Sequence, residues 1–217
     1  MIERPNPRNG EVCGRSPGSA QVGDDILIDR VKRGQTEAYG ELVRKYQDRV
    51  FNACWRICGH LEDARDLTQE AFLKAFEGLS GFRGQSGFYT WIFRVAVNLS
   101  LSHRRNVRRR RTLPLDANAG ETGAQTDELA RRARNESIDD PTRGPDEAEL
   151  HRAVAHALQS LDEDQRAVVV LRDIEGFDYQ EIASILQVPP GTVKSRLFRA
   201  RIALQQAIDP ALTRERE

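Results

Sequence analysis

Aromatic residues make up only 6% of the 217 residues, and no window approaches the run of about eighteen apolar side chains that a membrane span requires. Few aromatics beside a charged fraction of 30% argue against a β sandwich and for a helix-rich fold. The opening stretch MIERPNPRNGEVCGRSPGSAQVGDD has no apolar core of a secretory signal, so no membrane insertion and a cytoplasmic location are expected. Cysteine is nearly absent too. Cys13, Cys54 and Cys58 are an odd number at spacings that fit neither a disulfide framework nor a zinc knuckle. Cys54 and Cys58 lie one helical turn apart and could meet His60 or Cys13 at a metal or redox site, but two small apolar residues in a helix core explain the spacing equally.

No paired-carboxylate, Ser/His/Asp or metal-ligand constellation is visible, and His60, His103, His151 and His156 are scattered along the chain. An enzyme is therefore not expected, nor a cofactor or metal. What the sequence does have is charge segregated by sign. Lys and Arg balance Asp and Glu at 33 each, yet Arg94 to Arg111 holds seven arginines, one histidine and no acid. Thr112 to Leu150 follows with ten acids against four arginines, a net of minus six. Leu186 to Gln206 then carries Lys194, Arg196, Arg199 and Arg201 without an acid. Two basic patches flank an acidic segment.

Hydrophobic periodicity divides the chain. Residues 1–24 are rich in Pro, Gly, Asn and Ser and read as a disordered tail. Three-to-four spacing of apolar residues then predicts a four-helix domain over 25–111, with GFRGQSG as a Gly-rich connection before its last helix. Residues 112–148 lose the period and read as a flexible acidic linker. The period returns over 149–208 as a second small helical domain, with a short tail at 209–217. The expected fold is all-α.

In the second domain DYQEIASILQV predicts a short amphipathic helix and VPPG a tight turn, with Pro190 tolerated in the first turn of the next helix. Along that helix Val193, Leu197, Ala200 and Leu204 share the packed face, while Ser195, Phe198, Arg199 and Ile202 lie opposite, flanked by Thr192 and Lys194. A helix-turn-helix with a basic outer face suits a DNA major groove, Arg199 meeting guanine or phosphate and Phe198 a thymine methyl. In the first domain Phe82, Phe88, Tyr89, Trp91 and Phe93 adjoin the arginine run, a composition that fits stacked, unpaired bases beside a phosphate backbone, or an aromatic core. Asp63, Asp66, Glu70, Leu73 and Glu77 recur as an acidic stripe that is either a solvated face or a dock for a basic protein surface.

DARDLTQEAFLKAF, then FRGQSGFYTWIFRVAVN, then RAVVVLRDIEGFDYQEIASILQVPPGTVKSRLFRAR resemble, in order, the motifs of bacterial sigma factors of the extracytoplasmic-function group, close to the sigma-E type. The resemblance implies a promoter-recognition subunit of RNA polymerase with a sigma region 2 domain at 25–111 and a region 4 domain at 149–208. It implies that Asp63, Asp66, Gln69, Glu70 and Leu73 meet the clamp coiled coil of the largest polymerase subunit, and that the second domain sits on the flap. Phe82, Arg83, Ser86, Tyr89, Trp91, Asn98, Arg104 and Arg105 would serve the minus-ten element, with a base captured near Phe82 to Ser86. Thr192, Lys194, Ser195, Phe198 and Arg199 would read the minus-thirty-five element. The same resemblance implies promoter DNA, an anti-sigma factor and a stress or envelope-response regulon, and it gives the acidic linker a place near the RNA exit region. A free-standing helix-turn-helix regulator is the alternative, and a nuclease is a more remote one.

Overall fold

Helical structure begins ahead of Asp25, where the sequence period starts: α1 spans Pro17–Lys32. The structure, a computed structural model, describes residues 17–112 and 154–214, with side chains over 23–110 and 154–208. The expected acidic linker, His151 and Cys13 lie outside the described residues. After α1 come α2 (Glu37–Cys58), α3 (Leu61–Gly78), a single 3-10 turn at Leu79–Gly81, and α4 (Phe88–Thr112). These form the expected four-helix unit. The second unit holds α5 (154–160), α6 (Glu163–Val169) running into a π-helical turn at Val170–Ile174, α7 (Tyr179–Leu186) and α8 (Pro190–Arg214). No strand occurs among the described residues.

The first core follows from the period. Leu42, Val50, Ala53 and Ile57 of α2, Ala64, Leu67, Ala71 and Ala75 of α3, and Phe93, Val97 and Leu101 of α4 are buried. Alanines on α3 let that helix approach its neighbours closely. Asp24, buried on α1, receives Lys45 Nζ at 2.5 Å and the Tyr46 hydroxyl, which fixes α1 to α2. A buried carboxylate is tolerated because both partners reach it. Cys54 and Cys58 are buried free thiols in this core, and burial pushes Cys58 up to about 12 and Cys54 upward as well. The spacing that left a redox site open therefore corresponds to packing.

The loop of residues 82–87 is tied at its start and end by aromatic rings. Phe82 and Phe88 are both buried and both pack on Trp91, at 5.1 and 5.8 Å between centroids. Lys32 Nζ donates to the Phe82 carbonyl at 2.6 Å, adding a tether from α1. Arg83, Gly84 and Gln85 between these anchors are exposed.

The helix-turn-helix is set by local chemistry. Asp178 Oδ1 accepts from the backbone N–H of Gln180 and Glu181 at 2.7 and 2.8 Å, and Glu181 Oε2 accepts in return from Asp178 N at 2.9 Å. This capping box starts α7. Gln187 ends it in the left-handed region at φ 55, and Pro190 opens α8 as the proline pair predicts.

The two units pack on each other, and Arg166 lies at the join. It is 0% exposed, and its guanidinium donates to the carbonyls of Leu158 (2.7 Å), Gln159 (2.7 Å), Leu161 (2.9 Å) and, across the join, Ile57 (2.8 Å). Burial lowers its pKa to about 10. The acceptors sit at the C-terminal ends of α5 and α2, where helix dipoles and orphan carbonyls favour a cation. Gly59 closes α2 at φ 79, and a Cβ there would meet the Gln159 side chain at 2.4 Å. Here glycine serves both the turn and the join.

Three outcomes follow for stability and reactivity. Arg166→Met removes four hydrogen bonds from carbonyls at the join and should cost about 3–5 kcal/mol in urea unfolding, whereas a loss under about 1 kcal/mol contradicts the account. Phe82→Ala should cost about 3–5 kcal/mol, because the ring is core, and Arg83→Ala should stay within about 0.5 kcal/mol. Iodoacetamide at neutral pH should leave Cys54 and Cys58 unmodified until denaturant is added; rapid labelling of the folded chain would contradict their placement.

Candidate nucleic-acid and polymerase interfaces

Each of the three residue sets expected from the sequence falls in a different environment. On α3, Asp66, Gln69, Glu70 and Leu73 share one solvent-facing stripe, with Leu73 58% exposed. Asp63 is turned aside: its Oδ2 lies 3.1 Å from His103 Nε2 on α4 and 3.7 Å from His60 Nδ1. Phe76 extends the stripe at 39% exposure, its ring braced on Tyr39 at 5.0 Å. Sequence reasoning missed Phe76, although its position three residues after Leu73 signalled the same face. The Glu70–Lys74 ion pair at 2.8 Å is solvent-facing and adds little stability. The surface is thus acidic with an apolar centre, a composition fitted to a basic protein partner with a hydrophobic anchor.

On α8 the basic residues separate into two pairs. Arg196 meets Asp164 at 2.6 Å and Arg201 meets Asp173 at 2.5 Å, so both hold α8 to α6 and the π turn. Lys194 and Arg199 point outward with Ser195 and with Phe198, which is 68% exposed; Thr192 is half-buried at the helix start and accepts the Ser195 hydroxyl on its carbonyl at 3.0 Å. Val193, Leu197 and Ala200 are buried on the opposite side, as the period predicts. An exposed ring between two cations is costly as mere surface, and it suits a groove in which base edges carry apolar methyl groups.

The third set, on the loop of residues 82–87 and on α4, is mostly covered. Arg83 is exposed and Ser86 half-buried, but Phe82 and Trp91 are occupied with each other. Tyr89 stacks on Phe177 of the second unit at 4.8 Å and 15°, and its hydroxyl donates to Glu175 Oε2 at 3.0 Å. Asn98 Nδ2 donates to the Ile185 carbonyl at 3.4 Å, Arg104 to Gln159 Oε1 at 3.1 Å, and Arg105 pairs with Asp164 at 3.3 Å. Glu175 and Phe177, neither of which stands out in the sequence, thereby contact this set. No group of His, Cys, Asp and Glu among the described residues is arranged to hold a metal ion. No helix among them is long and apolar enough to cross a membrane.

Comparison with known proteins places these surfaces in a family. Residues 42–111 match Sigma-70 region 2 and residues 151–204 match Sigma-70, region 4. The chain is 38% identical over 192 residues to the RNA polymerase sigma-H factor of Pseudomonas aeruginosa, covering 88% of this chain and 97% of that protein. It is 36% identical over 196 residues to the ECF RNA polymerase sigma-E factor of Escherichia coli strain K12, covering 90% of this chain and 100% of that one. Among solved structures, CnrH in complex with the cytosolic domain of CnrY is similar at a TM-score of 0.59 and 26% identity, over 87% of this chain and 98% of that one. The sigma factor RpoE in complex with the anti-sigma factor NepR from Bartonella quintana shares the fold at a TM-score of 0.59 and 21% identity, over 79% and 96% of the two chains. With both regions matched in order and more than a third of the residues shared with full-length relatives, the chain belongs to the sigma-70 family, as a sigma factor of the ECF group that directs transcription initiation.

Proposed function

We propose that this sigma factor docks on core RNA polymerase through the α3 stripe of Asp66, Gln69, Glu70, Leu73 and Phe76, with Asp63 a positioning residue for the start of that helix. The partner surface is the clamp coiled coil of the largest subunit, and the second unit sits on the flap. Lys194, Ser195, Phe198 and Arg199 read the minus-thirty-five element in duplex form, with Thr192 at the helix start. The observation that carries this reading is the division of charge on α8. Arg196 and Arg201 are committed to carboxylates of the chain, while Lys194 and Arg199 flank an exposed Phe198.

For the minus-ten element, Arg83 and Ser86 on the loop, with Tyr89 and Asn98 on α4 beside them, form the capture site for an unpaired base. Extruding that base costs a few kcal/mol, which stacking and edge contacts must offset. Phe82 and Trp91 support the loop from below rather than touching the base. Arg104 and Arg105 follow the phosphate backbone. An anti-sigma factor that covers the polymerase-binding surfaces, a cytoplasmic location and a stress or envelope-response regulon complete the proposal.

Run-off transcription from a sigma-E-type promoter tests it. Core polymerase should initiate only with the chain present, and an Asp66→Ala, Glu70→Ala double variant should lose about tenfold or more in initiation at limiting concentration. Phe198→Ala should weaken promoter use while unfolding within about 0.5 kcal/mol of the parent. If core polymerase gains nothing from the chain while the chain alone binds duplex DNA tightly, a free-standing helix-turn-helix regulator is the better reading.

A further inference from the structure

The loop of residues 82–87 leaves the first core at a residue whose backbone is held on both sides. The Phe82 N–H donates to the Leu79 carbonyl at 3.1 Å, closing the 3-10 turn, and the Phe82 carbonyl accepts from Lys32 Nζ at 2.6 Å. The same ammonium lies 5.9 Å from the centre of the buried Phe82 ring. The Phe82 carbonyl belongs to the planar peptide unit that leads into Arg83, so this hydrogen bond sets the direction in which the exposed part of the loop departs. At the far end the Gly87 carbonyl accepts from the Trp91 N–H at 3.1 Å as α4 begins. Between these two points Gly84 turns the chain at φ 67.

Lys32 is firmly placed for this contact. It is the last residue of α1, and Asp24, Ile28 and Lys32 recur at intervals of four on one face of that helix. Ile28 is buried, and so is Asp24 with its Lys45 and Tyr46 partners, so the helix that carries Lys32 is fixed to the first unit. Lys32 itself is exposed. A bond from an exposed lysine to a carbonyl adds little to the fold, because water can satisfy the same carbonyl; what it adds is direction.

We propose that Lys32 is a positioning residue for base capture: through the Phe82 carbonyl it holds the loop in the conformation that presents Arg83 and Ser86 to an unpaired minus-ten base. This rests on the assignment of that loop to the minus-ten strand. Lys32 does not touch the base. A loop held in its binding conformation before the strand arrives avoids the cost of ordering, so loss of the tether lowers affinity by the fraction of time the untethered loop spends in that conformation.

The test uses holoenzyme assembled from core polymerase and the full chain. The probe is a fluorescein-labelled single strand carrying the minus-ten sequence of the run-off promoter, beside strands in which each minus-ten base in turn is replaced by an abasic site. The site whose loss costs the parent most affinity marks the captured base. If the untethered loop is competent about a tenth of the time, Lys32→Met should bind the intact strand about tenfold more weakly and the strand lacking the captured base as the parent does, so that discrimination falls about tenfold. Lys32→Arg, which keeps a cationic donor at the end of α1, should retain most of the discrimination, and both variants should keep the parent's urea midpoint. Equal discrimination by Lys32→Met and the parent overturns the proposal. A loss shared by intact and abasic strands, with the slope of log affinity against log salt falling by about one, overturns it in favour of a phosphate contact. A midpoint as low as that of Phe82→Ala overturns it in favour of a prop for the core. Arg83→Ala and Asn98→Ala separate the proposal from the reading beneath it. If neither variant and no abasic site alters strand binding, the minus-ten assignment falls and takes the proposal with it; if they do and Lys32→Met does not, the assignment stands and Lys32 has no part in capture.

Discussion

The arrangement of the two units depends on one buried cation. Arg166 takes a charge out of water, which is tolerable only because four carbonyls at two helix ends receive it. Three of those carbonyls, of Leu158, Gln159 and Leu161, belong to its own unit. The fourth, Ile57, belongs to the other unit and makes the same charge a point of registry between them. Gln159, which donates to the Arg56 carbonyl at 3.1 Å and accepts from Arg104, widens that point into a small polar patch under Gly59. From there α7 falls along α4, and Phe177 reaches Tyr89 and Phe93.

Charge is sorted in the structure as it is in the sequence, but by use rather than by segment. In one basic patch Arg196 and Arg201 hold α8 to acids of α6 and the π turn, while Lys194 and Arg199 face solvent. In the other patch Arg94, Arg104 and Arg105 turn toward the second unit, while Arg83, on the loop ahead of it, faces out. A net charge of zero thus coexists with surfaces suited to opposite partners, an acidic stripe on α3 and a basic helix on α8.

Much of this was legible from residue order. The buried sets on α3, α4 and α8 follow the helical period, and the proline pair located the turn before α8. Leu73 and Phe198 face outward as their helical period predicts, because a lone amphipathic helix contains that information. The fate of Phe82, Trp91, Tyr89 and Asn98 was not legible in the same way. Whether a residue on a two-sided helix is core or surface depends on what packs there: Phe82 and Trp91 cover each other, whereas Tyr89 and Asn98 meet Phe177 and Ile185 from the far end of the chain. Arg166 was hidden for a related reason: in sequence it is one more charge in a short helix, and its fourth acceptor, Ile57, comes from across the join.

The central claim is that α8 presents Phe198 to solvent while Tyr89 of α4 is covered by Phe177 of the second unit. Hydroxyl-radical footprinting of the intact chain, read by mass spectrometry, measures this directly on the aromatic side chains. Phe198 should be modified rapidly and Tyr89 and Phe177 slowly, with Tyr89 gaining reactivity in Glu175→Arg, which sets a like charge opposite Arg49 across the join. Modification of Tyr89 and Phe177 in the free parent chain at the rate of Phe198 would contradict the account.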